Sequence, residues 1–280
     1  MKRITISVDS TADLTRELYE QYKIQVVALG VVIGDKAFKD GIDITPNDVY
    51  NAVEKQNIMP KSQAASELDY TDCFEKNKGS DVHIHFSISE KVSASYASAC
   101  RAATNYKNVH VIDSKVLSSG TGLLAIKARE MHTAGVSGED IVKRSRELAG
   151  KQNTSFIINN LKYLHKGGRV SGLKLLGANL LKIHPQLRCD QTGALVQGAK
   201  FKGNFAKNVI EYIRHVVSNA PNADKDLTML TYTDIDSAIV EQCEKELKEL
   251  GFNRVFKTTA GSVITCHCGR NTIGILFNDK

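Results

Sequence analysis

Three stretches in the first half of the chain end alike: "SVDST" at 7–11, "FSISEKVS" at 86–93 and "VIDSK" at 111–115. Each apolar, strand-like run gives out into hydroxyls just before a helix signal, and this alternation predicts a parallel sheet with helices on both faces. All carboxyl ends of such a sheet lie on one edge, where ligands bind at a switch point, so these serines are expected to share a rim. A helix N-terminus there adds free N–H groups and about half a positive charge, which favours an anion. Taken singly, Ser10, Ser93 and Ser118 read more simply as helix N-caps.

The rest of the pattern frames these motifs. Ser10 with Asp13 predicts a capping box opening a helix that runs through Tyr22, and "IQVVALGVVI" predicts one buried strand. Gly34-Asp35 predicts a hairpin turn, Asp40-Gly41 a turn before a helix started by Pro46, and "MPKSQAAS" a loop. Further helices are expected near 67–77, 93–106, 118–133 and 138–149, the last capped by Ser137 with Asp140. "GKQNTS" at 150–155 predicts a linker, which divides the chain into an α/β domain at 1–153 and an α+β domain at 154–280. The second half then gives a strand "SFIIN", a short helix ending at Gly167-Gly168, an apolar segment from Leu173 to Ile183 and a hairpin through Asp190–Gly193. A helix follows with Val209, Tyr212, Ile213 and Val216 on one face, then strand "LTMLTY", a helix stopped by Gly251, and strands "SVITCH" and "TIGILFN".

Several functions are disfavoured at once. Neither G-x-G-x-x-G nor a P-loop follows any of the strands, which argues against dinucleotide and ordinary P-loop chemistry. A serine hydrolase needs a nucleophile elbow, and no glycine occurs from 82 to 103; without a positioned base, a hydroxyl is a hydrogen-bond donor. Six scattered cysteines fit neither a disulfide framework nor zinc knuckles, and on a strand Cys266 and Cys268 would face away from His267, so no metal is expected. His83 and His85 share a strand face and read as structural. The N-terminus has no apolar segment of signal type and the chain no run of 18 uncharged apolar residues, so a soluble, cytoplasmic protein is expected.

Charge is uneven. Residues 151–280 hold 18 basic and 11 acidic side chains, and 162–207 hold nine basic ones against the single acid Asp190. That segment fits an anionic partner, a solvated face, or a nucleic-acid surface; the last lacks a set of exposed aromatics, and no nucleic acid is expected.

Over its full length the chain resembles the DegV family, which includes the fatty-acid-binding subunits of the bacterial fatty acid kinase system. The resemblance rests on "VDSTADL", "KDGIDI", "MPKSQAAS", "VSASYASA", "VIDSKVLSSGTG", "YLHKGGRVS" and "GSVITCHCG". It implies a ligand tunnel between two domains that holds a long-chain fatty acid, with Ser62 and Ser93 binding the carboxylate and His267 close by. Ser10, Thr11, Ser114 and Arg270 would form the headgroup rim, and Arg169 and Lys202 would meet a phosphate or a docking kinase. The resemblance implies a carrier, not an enzyme, with no cofactor beyond its bound lipid, a separate kinase as partner and a monomer when free. The segment Leu173 to Ile183 reads either as a lid making transient membrane contact or as a core helix. The alternatives are a serine-dependent acyl-ester hydrolase and a nucleic-acid-binding regulator. The sequence departs from the family pattern at Ser62, Ala65, Ala94, Lys202 and Arg270-Asn271, where the family usually has threonine, proline, glycine, arginine and Pro-Gly.

Overall fold

The computed structural model describes residues 2–169 and 183–280. Strands β1 (Ile4–Asp9), β2 (Ile24–Val27), β6 (Val82–Ser87) and β7 (Val109–Asp113) form a parallel sheet in the order β2-β1-β6-β7. Its two faces differ as period-two alternation demands. Ile4, Ile6, Val8, Ile84 and Phe86 pack under helices α5 (Ser119–Thr133) and α6 (Gly138–Ala149). The opposite face carries Ser7, Asp9, His83, His85 and Ser87, covered by α3 (Glu67–Lys76) and α4 (Ser95–Ala103).

A small antiparallel sheet, ordered β4-β3-β5, joins β3 (Gly30–Ile33), β4 (Lys36–Lys39) and β5 (Lys61–Gln63). The six-stranded sheet has the order β10-β9-β8-β13-β11-β12, from β8 (Gln152–Ile158), β9 (Ile183–Cys189), β10 (Leu195–Lys202), β11 (Ala223–Tyr232), β12 (Arg254–Thr259) and β13 (Thr272–Asp279). It is antiparallel except for the β11–β12 pair. Helices α8 (Phe205–Ser218) and α9 (Ser237–Glu249) cover one face, each with an apolar stripe: Val209, Tyr212, Ile213 and Val216 on α8, and Val240, Cys243 and Leu247 on α9. Fully burying a large side chain in such a stripe contributes about 1.5–3 kcal/mol. The opposite face turns toward the parallel sheet, so that Leu227, Met229 and Leu276 share a core with Ile6 and Leu123. This is the α/β architecture with two sheet systems and a cavity between them that the sequence leads one to expect.

Four local expectations are corrected. The run "IQVVALGVVI" is two strands in two sheets; the chain leaves the parallel sheet at Leu29, whose N–H donates to Ser10 Oγ (3.1 Å). Ser10 and Asp13 form no capping box: Ser10 donates to Asp40 Oδ2 (2.9 Å), and helix α1 (Arg16–Gln21) opens only after Thr15, which caps it. The stretch 150–155 is mostly β8 rather than linker, because those residues pair along β13. "SVITCH" is helix α10 (Ser262–Cys268), not a strand. Its β-branched residues lose to tertiary context: Val263 and Cys266 bury on one side, Ile264 and Cys268 on another, at helical spacing.

Candidate functional site

Between the sheets lies a cavity of ≈ 220 Å³. Its walls come from both halves of the chain: Leu29 and the β5 strand, the loop after β6, the approach to α5, the inner face of the six-stranded sheet, and α10. Most of that lining is aliphatic or aromatic, with serines, threonines and His267 among it. Ser62, Ser93 and His267, separated by as much as 205 residues, all border it.

Ser62 sits in β5 opposite Val31 of β3, and its Oγ lies 2.7 Å from His267 Nε2. His267 is near the C-terminus of α10, its ring against Gly167 of α7 (Lys162–Gly167); a Cβ on Gly167 would stand only 2.3 Å from His267 Nδ1. Burial, and then Arg169, lower the His267 pKa to about 4, so the ring is neutral near pH 7. Nδ1 is buried with no partner among the described residues. A buried N–H without an acceptor is the costlier orphan, so the proton is assigned to Nε2, which donates to Ser62. The Ser62 hydroxyl hydrogen is then free for an incoming oxygen. Ser93 precedes α4 without capping it as expected: the helix starts at Ser95, whose N–H donates to Ser93 Oγ (3.2 Å), while Ser93 donates to Ser95 Oγ (2.9 Å). Arg169, exposed after the left-handed Gly168, also borders the cavity.

The wider rim is not assembled as the strand ends predict. Ser10 is spent on Asp40 and Leu29, Thr11 is fully buried, and Ser114 bonds Val116 O in its own loop and Thr121 of α5. Arg270 lies over the Tyr50 ring (3.9 Å) and pairs with Glu54 (2.9 Å) and Asp234. None of the four lines the cavity, and neither does Lys202, exposed at the end of β10. The cause for Ser10, Ser114 and Arg270 is competition, since each hydroxyl finds a nearer protein partner and Arg270 two carboxylates; Thr11 Oγ1 is instead enclosed with no partner among the described residues. Of the segment Leu173 to Ile183, all but Ile183 lies outside the described residues, with Lys174 and Lys182.

Two carboxylates that the sequence reading passed over hold α10 in place. Gly261 N–H donates to Asp13 Oδ1 and Ser262 N–H to Asp40 Oδ1, both at 2.8 Å. The second oxygen of Asp13 accepts from Ser118 (2.5 Å) and that of Asp40 from Ser10. Burial pushes both acids above the ordinary carboxylate range against these bonds. Asp13 and Asp40 stand in "VDSTADL" and "KDGIDI", but their reach to residues 261 and 262 leaves no local trace in sequence.

A Ser–His–Asp series does occur elsewhere. Asp9 Oδ1 lies 3.3 Å from His85 Nε2, His85 Nδ1 lies 2.9 Å from Ser7 Oγ, and Ser7 Oγ lies 2.8 Å from His83 Nε2. Tyr70, Ser87 and the Ile88 N–H also donate to Asp9. All these side chains are fully buried beneath α3, so no substrate reaches Ser7. Burial, then His85, lower the His83 pKa to about 3. Both histidine rings lie inside this buried network. At the cavity, by contrast, no acid among the described residues bonds His267 Nδ1 to orient an imidazolium. Among the described residues no three His, Cys, Asp or Glu side chains converge on a metal position, and burial raises the Cys266 thiol to about 12. Among them, too, no helix is long and apolar enough to cross a membrane.

The family model described as "Uncharacterised protein, DegV family" matches residues 3–280. A DegV domain-containing protein of Caldanaerobacter subterraneus is 30% identical over 285 residues, covering 100% of both chains. Among solved structures, a Thermotoga maritima protein reported to reveal a fatty-acid-binding function is 27% identical, with TM-score 0.84 and 100% of each chain covered. The B3 protein of the Streptococcus pneumoniae fatty acid kinase, loaded with linoleic acid, shares the fold at 19% identity, with TM-score 0.87 over 99% of this chain and 100% of that one.

Proposed function

Since the chain belongs to the DegV family, we propose that it is a lipid carrier that holds one long-chain fatty acid between its sheets and offers the carboxylate to a separate kinase. In this reading Ser62 donates to the carboxylate, fixed by neutral His267, and Ser93 turns its hydroxyl from Ser95 to donate to it as well. The single observation that carries it is the meeting of these three residues at one cavity whose other walls are mainly apolar. Charge-assisted bonds to a carboxylate contribute about 1.5–3 kcal/mol each, and each buried methylene about 0.8 kcal/mol, so such a site suits a long acyl chain with an ionised head. The fatty-acid-binding Thermotoga maritima relative supports the ligand class.

The kinase step draws on the Streptococcus pneumoniae protein of the same fold. A carboxylate oxygen of the lipid attacks the terminal phosphoryl group of the kinase's nucleoside triphosphate, and the bond to the bridging oxygen breaks. The nucleoside diphosphate leaves with an acyl phosphate remaining on the carrier, so the carrier supplies neither nucleophile nor cofactor. We assign Arg169, beside the cavity, and Lys202 to the incoming phosphate or the kinase surface. The two units, residues 1–153 and 154–280, close on the lipid from either side in a cytoplasmic monomer, and membrane contact during lipid exchange belongs to the segment from Leu173. Denaturing mass spectrometry of protein purified from cells tests the ligand: one acyl chain per protein is expected. Absence of lipid from every preparation, with no uptake of added octadecanoic or octadecenoic acid, would overturn the reading.

A further inference from the structure

Almost all of the cavity's serine and threonine oxygens have at least one protein partner. Ser62 bonds His267, Ser93 bonds Ser95, Ser118 bonds Asp13, Ser155 bonds Tyr212, and Thr231, Thr233 and Thr272 each have a protein partner. The exception is Thr154, a cavity-lining residue only 3% exposed, whose Oγ1 is buried with no partner among the described residues. It does not stand alone. In the β8–β13 register Thr154 lies opposite Leu276 and Gln152 opposite Asn278, so all four are neighbours on one sheet face. Gln152 Oε1 and both side-chain polar atoms of Asn278 are likewise buried and unpartnered. Helix α5 meets this cluster at Gly120, where a Cβ would stand 2.8 Å from Thr154 Oγ1 and 3.0 Å from Gln152 Oε1.

The cluster lies away from the carboxylate end. Thr272 bonds Cys268, next to His267, and β13 runs four residues from there to Leu276, a span of roughly 13 Å. A saturated chain reaching that depth passes an unsatisfied hydroxyl, and burying such a group without a partner is unfavourable. An acyl chain bearing an oxygen there supplies the partner. No hydrogen bond among the described residues holds the Thr154 hydroxyl against α5, and a turn about χ1 to another staggered well would exchange it with the methyl and bring it toward a ligand.

We propose that Thr154 makes a polar notch in the tail region, so that the protein selects fatty acids carrying a mid-chain hydroxyl over unsubstituted ones. The inference rests on the lipid-carrier reading and adds the ligand's chemistry. Its test is competition of octadecanoic acid against a positional series of hydroxyoctadecanoic acids, with bound lipid read by mass spectrometry. One hydroxyl position, or two adjacent ones, is expected to be enriched about fivefold over the unsubstituted chain in the wild type, the effect of one added hydrogen bond. Thr154→Val, which replaces the hydroxyl by a methyl at constant shape, should abolish the preference while retaining octadecanoic acid, and should raise the ligand-free melting temperature. Uptake without preference at any position, or a preference that survives in Thr154→Val, overturns this inference alone. No uptake of any of these acids overturns it together with the reading on which it rests.

Discussion

At the scale of single residues, the site turns on what each hydroxyl is already doing. Ser93 lies before α4 without capping it, so a helix start gives it no advantage over Ser62. Ser62 shares its oxygen with His267, so Ser62→Ala removes a donor and also strands the imidazole, whereas Ser93→Ala removes a donor whose loss Ser95 partly covers. Fatty acid titrations should show Ser62→Ala weakened by roughly tenfold or more and Ser93→Ala by less; the reverse order would refute the shared-oxygen arrangement. His267 also predicts a pH dependence. Its folded pKa, about 4, lies below its ordinary 6.5, so between these values the unfolded chain binds more protons and stability falls as pH falls. In ligand-free denaturant titrations the wild type should therefore lose stability relative to His267→Gln as pH drops from about 6.5 to about 4. Asp13 and Asp40, raised by burial, act with the opposite sign but are common to both proteins. A difference that does not change across that window would mean His267 titrates normally.

At the scale of elements, the legible parts were those whose signal is local. Helix α6 follows from Ser137 and Asp140, which bond as a cap should, and α9 from its apolar stripe and its glycine stop. Strands β1, β6 and β7 follow from alternation before a hydroxyl. Helix α10 was misread because its sequence favours a strand and what makes it a helix is remote: amides caught by Asp13 and Asp40 more than 200 residues earlier. The site trio was legible only through family resemblance, since no spacing connects Ser62 with His267. The carboxylate pair then makes a prediction for this element. Asp40→Ala leaves the Ser262 N–H and the Ser10 hydroxyl without an acceptor, which should cost about 2–4 kcal/mol in denaturant unfolding and weaken lipid binding by displacing His267. Asp40→Asn, which retains one acceptor oxygen, should lose less on both counts; equal losses would show that an acceptor is not what matters.

At the scale of the molecule, the two sheet systems are joined by more than a linker. Leu227, Met229 and Leu276 of the six-stranded sheet lie in the same core as the strands and helices of the parallel sheet. An ionic cluster reinforces that seam: Arg254 of β12 pairs with Glu130 of α5 (2.6 Å) and Asp226 of β11 (2.6 Å), and Lys127 of α5 pairs with Asp226 (2.7 Å). Hydrophobic continuity across the seam means that neither half unfolds without exposing the other's core, so thermal unfolding should be one cooperative transition by calorimetry and by circular dichroism alike. A ligand in the cavity touches both sheet systems and therefore binds only when both are folded. At a hundred times its Kd it should add about 2.7 kcal/mol to the stability of the whole chain and move that one transition upward intact. Two resolved transitions, of which the lipid shifts only one, would mean that the cavity belongs to one half alone and that the shared core does not couple them.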